Sequence, residues 1–301
     1  MKVAAFRFRI RIYLRLIIYS TALMPSVTLP NSPLAGGPAG IHYRDSGSGV
    51  PLVFLHGGWG YNIYPVDSQA AALSNFRVVI PDRSGYGRST KPAIFGPDLH
   101  TRAADETLLF LDALGIDRCI FWGHSDGAVI AAMLGIRAPE RCLGLILEAL
   151  HYDREKIHSR DFFQIMATQP ESFGARVTDI VKKEHGDPYW SELLRAEGQA
   201  WLDIARVADE RRANDQPGDL FDGSLSKLRV PAVILHGAQD PRTEPWELDA
   251  VRRELPQAEM QVIASGGHSP HSEAASAKEF NRYLVEALMR WSDPPSSLAR
   301  R

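Results

Sequence analysis

An α/β fold, a mostly parallel sheet flanked by helices and interrupted by a helical insertion, is what this chain predicts. Three observations carry that expectation. Short unbroken apolar runs alternate with amphipathic stretches from about residue 41, the pattern of strands buried on both faces with helices packed over them. The pattern stops between about Ala149 and Gly223 and then resumes. Third, Gly123-His124-Ser125-Asp126-Gly127 joins an apolar run, Cys119 to Trp122, to a small-residue helical run from Ala128 to Gly135.

In chain order, Met24-Pro25-Ser26-Val27-Thr28 reads as the beginning of a first strand, and Ile41 to Gly49 as a strand and its turn. Leu52 to Leu55 is a fully buried strand ending in His56-Gly57-Gly58-Trp59-Gly60, with a helix over Asp67 to Leu73. Val78 to Ile80 is another strand, followed by Pro81-Asp82-Arg83-Ser84-Gly85-Tyr86-Gly87-Arg88-Ser89. An amphipathic helix spans Asp98 to Leu114 and stops at Gly115. The strand before Ser125, its helix and the strand Leu143 to Leu147 follow. After the insertion come strand Ala232 to Leu235, a helix over Glu244 to Glu254, strand Met260 to Ala264 and a closing helix over Ser272 to Trp291. The domain division is therefore residues 1–30 as a basic and apolar extension, 31–148 and 224–293 as the core, 149–223 as a helical cap, and 294–301 as a tail.

The 301 residues carry a formal charge of −2, with 45% hydrophobic and 23% charged residues, as in an ordinary globular protein. Lys2, Arg7, Arg9, Arg11 and Arg15 lie in the first 23 residues, which contain no acid. The remainder is mildly acidic, which argues against nucleic acid as a partner. A basic stretch before the short apolar run Leu16 to Met24 is compatible with export or membrane contact, or else with a disordered extension or a segment upstream of a true start at Met24. The second reading, with a cytoplasmic protein, is the expectation. Cys119 and Cys142 cannot make a disulfide framework and read as two buried free thiols, near each other if their strands are parallel neighbours in register, and neither has metal-ligand spacing.

Ser125, Asp240 and His268 each follow the carboxyl end of a predicted parallel strand, and in an open α/β sheet those ends share one edge. A serine hydroxyl is a poor nucleophile at neutral pH and needs a base to take its proton, here His268. Asp240 would fix the imidazole tautomer and stabilise the imidazolium. Gly123 and Gly127 are small enough for the sharp turn that lifts Ser125 from the sheet. The amide of Asp126, with Gly58 or Trp59 of the loop after Leu55, would form an oxyanion hole. Glu148 is the rival acid and His271 the rival base on the same edge, while Asp240 could simply cap a helix. Asp82, Arg83 and Arg88 read as a structural turn network.

Taken together, His56-Gly57-Gly58-Trp59-Gly60, Asp82 to Ser89, Gly123 to Gly127, His236 to Asp240 and Gly267-His268 resemble the α/β-hydrolase superfamily over residues 41 to 291. The order Ser…Asp…His is the order of that superfamily. The Asp82 segment departs slightly from the usual Asp-x-Arg-Gly-x-Gly form. The resemblance implies an eight-stranded sheet and a serine hydrolase that uses no cofactor or metal, acting on a small, partly apolar ester, thioester, lactone or amide. Serine at the elbow argues against the superfamily's haloalkane dehalogenases and epoxide hydrolases, which use an aspartate nucleophile. Ser125-Asp126-Gly127 resembles the elbow of the valacyclovirase-like amino-ester hydrolases. Asp126 then either pairs with a substrate amine or complements the helix N-terminus. Most insertion aromatics should pack the cap, with Trp190 and Trp201 taken as substrate-binding. A prolyl-iminopeptidase-like enzyme, a cofactor-free haloperoxidase and a slow-turnover ligand receptor are the alternatives. The iminopeptidase family usually has proline where this chain has Trp59.

Overall fold

Unbroken apolar runs need burial on both faces, and they form the centre of the sheet. The computed structural model describes residues 25–292. In chain order the strands are β1 (Ser26–Ser32), β2 (Gly37–Ser46), β3 (Val50–Leu55), β4 (Phe76–Pro81), β5 (Cys119–His124), β6 (Cys142–Glu148), β7 (Ala232–Gly237) and β8 (Glu259–Ile263). The helices are α1 (Asp67–Ala72), α2 (Leu99–Ala113), α3 (Asp126–Arg137), α4 (Arg160–Thr168), α5 (Ala175–His185), α6 (Tyr189–Ala213), α7 (Pro245–Glu254) and α8 (Ala277–Ser292). The sheet order is β1-β2-β4-β3-β5-β6-β7-β8. All ladders from β4 to β8 are parallel, and β2 runs against both of its neighbours. Every residue of β5 and β7 is buried.

Two apolar clusters sandwich the sheet. One gathers Val53, Leu55, Phe121, Leu145 and Ile234 with α2 and α3. The other gathers Phe54, Trp122, Ile146 and Leu235 with Phe280, Leu284 and Leu288 of α8. Alternate residues of one strand thus serve opposite layers, as the two-residue period of a strand requires.

Between β6 and β7 the chain adds no strand to the sheet. It contributes α4, α5 and the 25-residue α6, closed at the base by an isolated bridge between Asp153 and Asp219. Cys119 and Cys142 stand in register on β5 and β6 as buried free thiols.

Two boundaries differ from the sequence reading. β1 starts at Ser26, as the strand reading of Met24 to Thr28 expects but inside the residues 1–30 divided off as an extension, because its backbone pairs with β2 from His42 to Gly37 and buries Leu29 and Ser32. α8 starts at Ala277 instead of Ser272. The Glu273 side chain is used in a turn, where its carboxylate accepts the amides of Gly267 and Ser269. The readings of residues 1–23, the start at Met24 and the tail 294–301 lie outside the described residues. Among the described residues no helix is long and apolar enough to cross a membrane.

Candidate active site

Parallel strands deliver β3, β5, β6, β7 and β8 to one edge, and the loops leaving that edge converge. Ser125 sits between β5 and α3 with φ 56°, ψ −120°, a left-handed conformation rare for a residue with a Cβ. Its amide donates to the Glu148 carbonyl (2.9 Å), and its carbonyl accepts the Ala128 amide (2.8 Å). The flanking glycines make this turn possible. A Cβ at Gly123 would lie 2.1 Å from the Gly127 oxygen, and one at Gly127 would lie 1.9 Å from the Leu55 oxygen.

The structure brings Ser125, His268 and Asp240 together. Ser125 Oγ lies 3.1 Å from His268 Nε2, and His268 Nδ1 lies 3.0 Å from each Asp240 carboxylate oxygen. Asp240 also accepts the Arg242 amide at 2.8 Å. Burial opposes its charge, but the adjacent His268 and its hydrogen bond hold the carboxyl well below the usual carboxylate range. His268 is aimed by its loop: its carbonyl and Ser269 Oγ both meet His124 Nε2, at 3.1 and 2.9 Å.

The rival acid and rival base are bonded to each other. His271 Nδ1 donates to Glu148 Oε1 (2.7 Å), Trp122 Nε1 donates to Glu148 Oε2 (3.0 Å), and His271 Nε2 reaches the Tyr64 carbonyl. Both residues are buried, and neither is among those lining the cleft around Ser125. Their pairing absorbs the polar groups that would otherwise be orphaned in the second apolar cluster.

Gly58 and Trp59, from the loop after β3, and Asp126 line the same cleft as Ser125 and His268. Arg83 holds that loop through its guanidinium, which donates to the carbonyls of His56 and Gly57. Asp82 pairs with Arg44 and accepts the Arg88 amide, so this turn braces the loop from behind. From the insertion, Glu184 accepts the amides of Tyr61 and Asn62 (2.8 Å each). His185 Nε2 reaches the Trp59 carbonyl (3.1 Å).

The cleft encloses about 510 Å³, counting the space open to solvent, and combines an apolar wall with a few convergent polar groups, as small-molecule sites do. Phe162, Phe163, Met166 and Trp201 of the insertion form its apolar side. Trp59 stacks on Phe162 and donates to Met166 Sδ (2.8 Å). At the polar end, Asp126 Oδ1 meets His100 Nε2 at 3.0 Å. Glu197 of α6 packs against Gly58 so closely that a Cβ there would fall 1.6 Å from its Oε1, with Asp126 Oδ2 also within 2.9 Å. Burial and the neighbouring Asp126 push the Glu197 carboxyl well above its ordinary range. Asp126 is equally buried, yet the hydrogen bond and charge of His100 hold it low. The same corner thus favours the neutral form of Glu197 and the charged form of Asp126.

Trp190 is a correction: it does not line the cleft but packs in the core of the insertion. Trp190 and Trp201 lie eleven residues apart on α6, the same face but three turns and about 16 Å along the axis. Only Trp201 reaches the sheet edge, with its ring against His100 and His151. Glu197, one turn before Trp201, was legible by the same helix-face rule and was missed. So was His151, whose Nε2 lies 3.2 Å from Ser125 Oγ. It follows the end of β6 much as Asp240 follows β7, and the strand-end argument reaches it equally. Among the described residues no group of three or more His, Cys, Asp or Glu side chains is arranged to hold a metal ion.

This sheet, with a serine at the β5–α3 turn and an Asp–His pair from the last two strands, defines an α/β-hydrolase type of protein. The chain belongs to the alpha/beta hydrolase family, whose model matches residues 52–282. It is similar to a probable proline iminopeptidase of Leptolyngbya boryana, 27% identical over 276 residues, 76% of this chain and 85% of that protein. It is also similar to haloalkane dehalogenase 2 of Mycobacterium bovis, 30% identical over 136 residues, 44% of this chain and 46% of that protein. A thermophilic esterase from Thermogutta terrifontis shares the fold, with a TM-score of 0.66 at 21% identity over 89% of this chain and 100% of that one.

Proposed function

We propose that this hydrolase is a serine hydrolase that cleaves a small, partly apolar carboxylic ester, or a related thioester, lactone or amide, through an acyl-enzyme. The observation that carries the reading is the unbroken hydrogen-bonded chain from Ser125 Oγ through His268 to Asp240. His268 takes the Ser125 proton as Oγ attacks the acyl carbon, and Asp240 stabilises the imidazolium. The amides of Asp126 and of Gly58 or Trp59 receive the oxyanion. His268 then protonates the leaving alcohol, activates water and returns the proton to Oγ. Phe162, Phe163, Met166 and Trp201 receive the apolar part of the substrate. Hydrolysis of p-nitrophenyl acetate, butyrate and octanoate by wild type and Ser125→Ala tests this. Multiple turnovers lost in the variant support it. An inactive, folded wild type whose Ser125 ignores a fluorophosphonate probe overturns it.

A second reading narrows the substrate to one bearing an amine. It is favoured by the carboxyls of Asp126 and Glu197 at the polar end of the cleft, Asp126 being held toward its charged form by His100. The similarity to a probable proline iminopeptidase agrees with it. Asp126→Asn should then lower the preference for an amino-acid ester over a neutral ester of equal size. An unchanged preference would remove the cation from the account.

A further inference from the structure

His151 contacts the same oxygen as the catalytic base, yet the triad mechanism has no task for it. Its Nε2 lies 3.2 Å from Ser125 Oγ, its ring stacks on His268 (centroids 5.6 Å, 18°), and Trp201 closes over its edge. It is 2% exposed. The chain reaches it through Ala149, which adopts a left-handed φ of 51° directly after β6. Such a conformation is uncommon for a residue with a Cβ and is retained where surroundings demand it.

The hydrogen-bond pattern fixes the direction of this contact. His268 uses its Nδ1–H on Asp240, so its Nε2 accepts the Ser125 hydroxyl proton. The lone pairs of Oγ remain, and a donor must satisfy them. Burial pushes His151 well below the ordinary histidine range, so the ring is neutral and carries one N–H. Its Nδ1 has no partner among the described residues. A proton there would be a buried donor without an acceptor, rarer and costlier than an unmet acceptor. The proton therefore sits on Nε2 and points at Oγ.

We propose that His151 is a further catalytic residue, donating a hydrogen bond to the Ser125 oxygen as that oxygen leaves the acyl-enzyme. The proposal rests on the serine-hydrolase reading above. In the free enzyme the hydroxyl oxygen already accepts this bond, so little is gained during acylation. In the acyl-enzyme, Oγ is a bridging ester oxygen and a weak acceptor. During deacylation water adds to the acyl carbon and its proton passes to His268 Nε2. The C–Oγ bond then breaks, its electron pair returns to Oγ, and His268 delivers the proton to it. His151 keeps its own proton throughout, and its bond strengthens only as charge develops on Oγ. That is differential stabilisation of the transition state.

The test is p-nitrophenyl butyrate turnover by wild type, Ser125→Ala, His151→Phe and His151→Gln, followed by stopped flow and intact mass. Phenylalanine keeps the stacked ring and removes the donor, whereas glutamine places an amide N–H near the Nε2 position. His151→Phe should release one equivalent of p-nitrophenol in a burst, then turn over roughly 10- to 100-fold more slowly with Ser125 acylated. His151→Gln should recover most of the rate. If the phenylalanine variant does not fold, His151→Asn, whose amide stops short of Oγ, should show the same burst. A wild-type steady rate in a donor-free variant, or a slow rate without accumulated acyl-enzyme, would overturn the role of His151 alone. A wild type without Ser125-dependent turnover would overturn the serine-hydrolase reading, and this inference with it.

Discussion

Replacing Asp240 by asparagine removes one charge from beneath His268 and changes almost no volume. In the native arrangement both carboxylate oxygens lie 3.0 Å from His268 Nδ1, and the Asp240 side chain is almost wholly buried. Two unit charges at that separation attract by roughly 5–6 kcal/mol at an effective dielectric of about 20. The attraction exists only once His268 has taken the serine proton, so it acts on the transition state. Its loss corresponds to about 10⁴ in rate. Asparagine adds a second fault, because its amide can donate to Nδ1 and force the ring into the tautomer that points N–H at Ser125. The expected result is a fall of about 10³–10⁴ in kcat for p-nitrophenyl butyrate, with a KM close to wild type. Glu148→Gln is the matched control. It leaves one oxygen where two accept from His271 and Trp122, so one of these bonds is lost, which should cost stability with a far smaller effect on kcat. A folded Asp240→Asn enzyme within about tenfold of wild type would refute the assignment. So would a larger loss of kcat in Glu148→Gln.

Two further outcomes follow from the packing around the edge. Gly127→Ala drives a Cβ to 1.9 Å from the Leu55 oxygen and should destabilise by about 3 kcal/mol or more in urea melts. Gly37→Ala, with nothing within 4 Å of its Cβ, should leave the midpoint nearly unchanged, and equal midpoints for the two variants would contradict the steric account. Burial raises Glu184 from 4.5 to about 7, where it holds the loop carrying Tyr61 and Asn62. A carboxyl whose pKa rises on folding stabilises fully below its unfolded value and loses that contribution as pH climbs through the folded one. Between pH 4 and pH 8, wild type should therefore lose about 3 kcal/mol relative to Glu184→Gln. Parallel stability–pH curves would exclude a raised Glu184.

Much of this protein is written locally. The runs Leu52–Leu55, Cys119–Trp122 and Ala232–Leu235 are short, apolar and unpunctuated, so each demands burial on two faces and becomes a central strand. The spacing Gly123-x-Ser125-x-Gly127 is equally local, because the clash it avoids lies within the turn and against the neighbouring strand. Since parallel strands end on one edge, Ser125, Asp240 and His268 could be placed there without coordinates. Sequence alone preferred Asp240 to Glu148 and His268 to His271 on chain order, with no contact to separate them. Position along the chain gives the edge, not which side of the sheet a loop turns toward. Tertiary structure decided it by pairing the two rivals with each other beneath Trp122 and Phe280.

What chain order could not reveal is anything set by elements meeting from far apart. Trp190 and Trp201 read alike on one amphipathic helix, and only the docking of α6 separates the one that reaches the edge from the one three turns away. Glu197 and Asp126 lie 71 positions apart and come together against Gly58 because the insertion folds back over the loop after β3. The strand-end rule brings His151 to the edge, but its 3.2 Å contact with Ser125 Oγ depends on one left-handed alanine, a backbone choice that no composition or periodicity records. Local patterning determined the strands, the turn at Ser125 and the shared edge, since burial and sterics act over a few residues. The proton networks on that edge depend on distances of about 3 Å between segments remote in sequence, and only the packed molecule sets those.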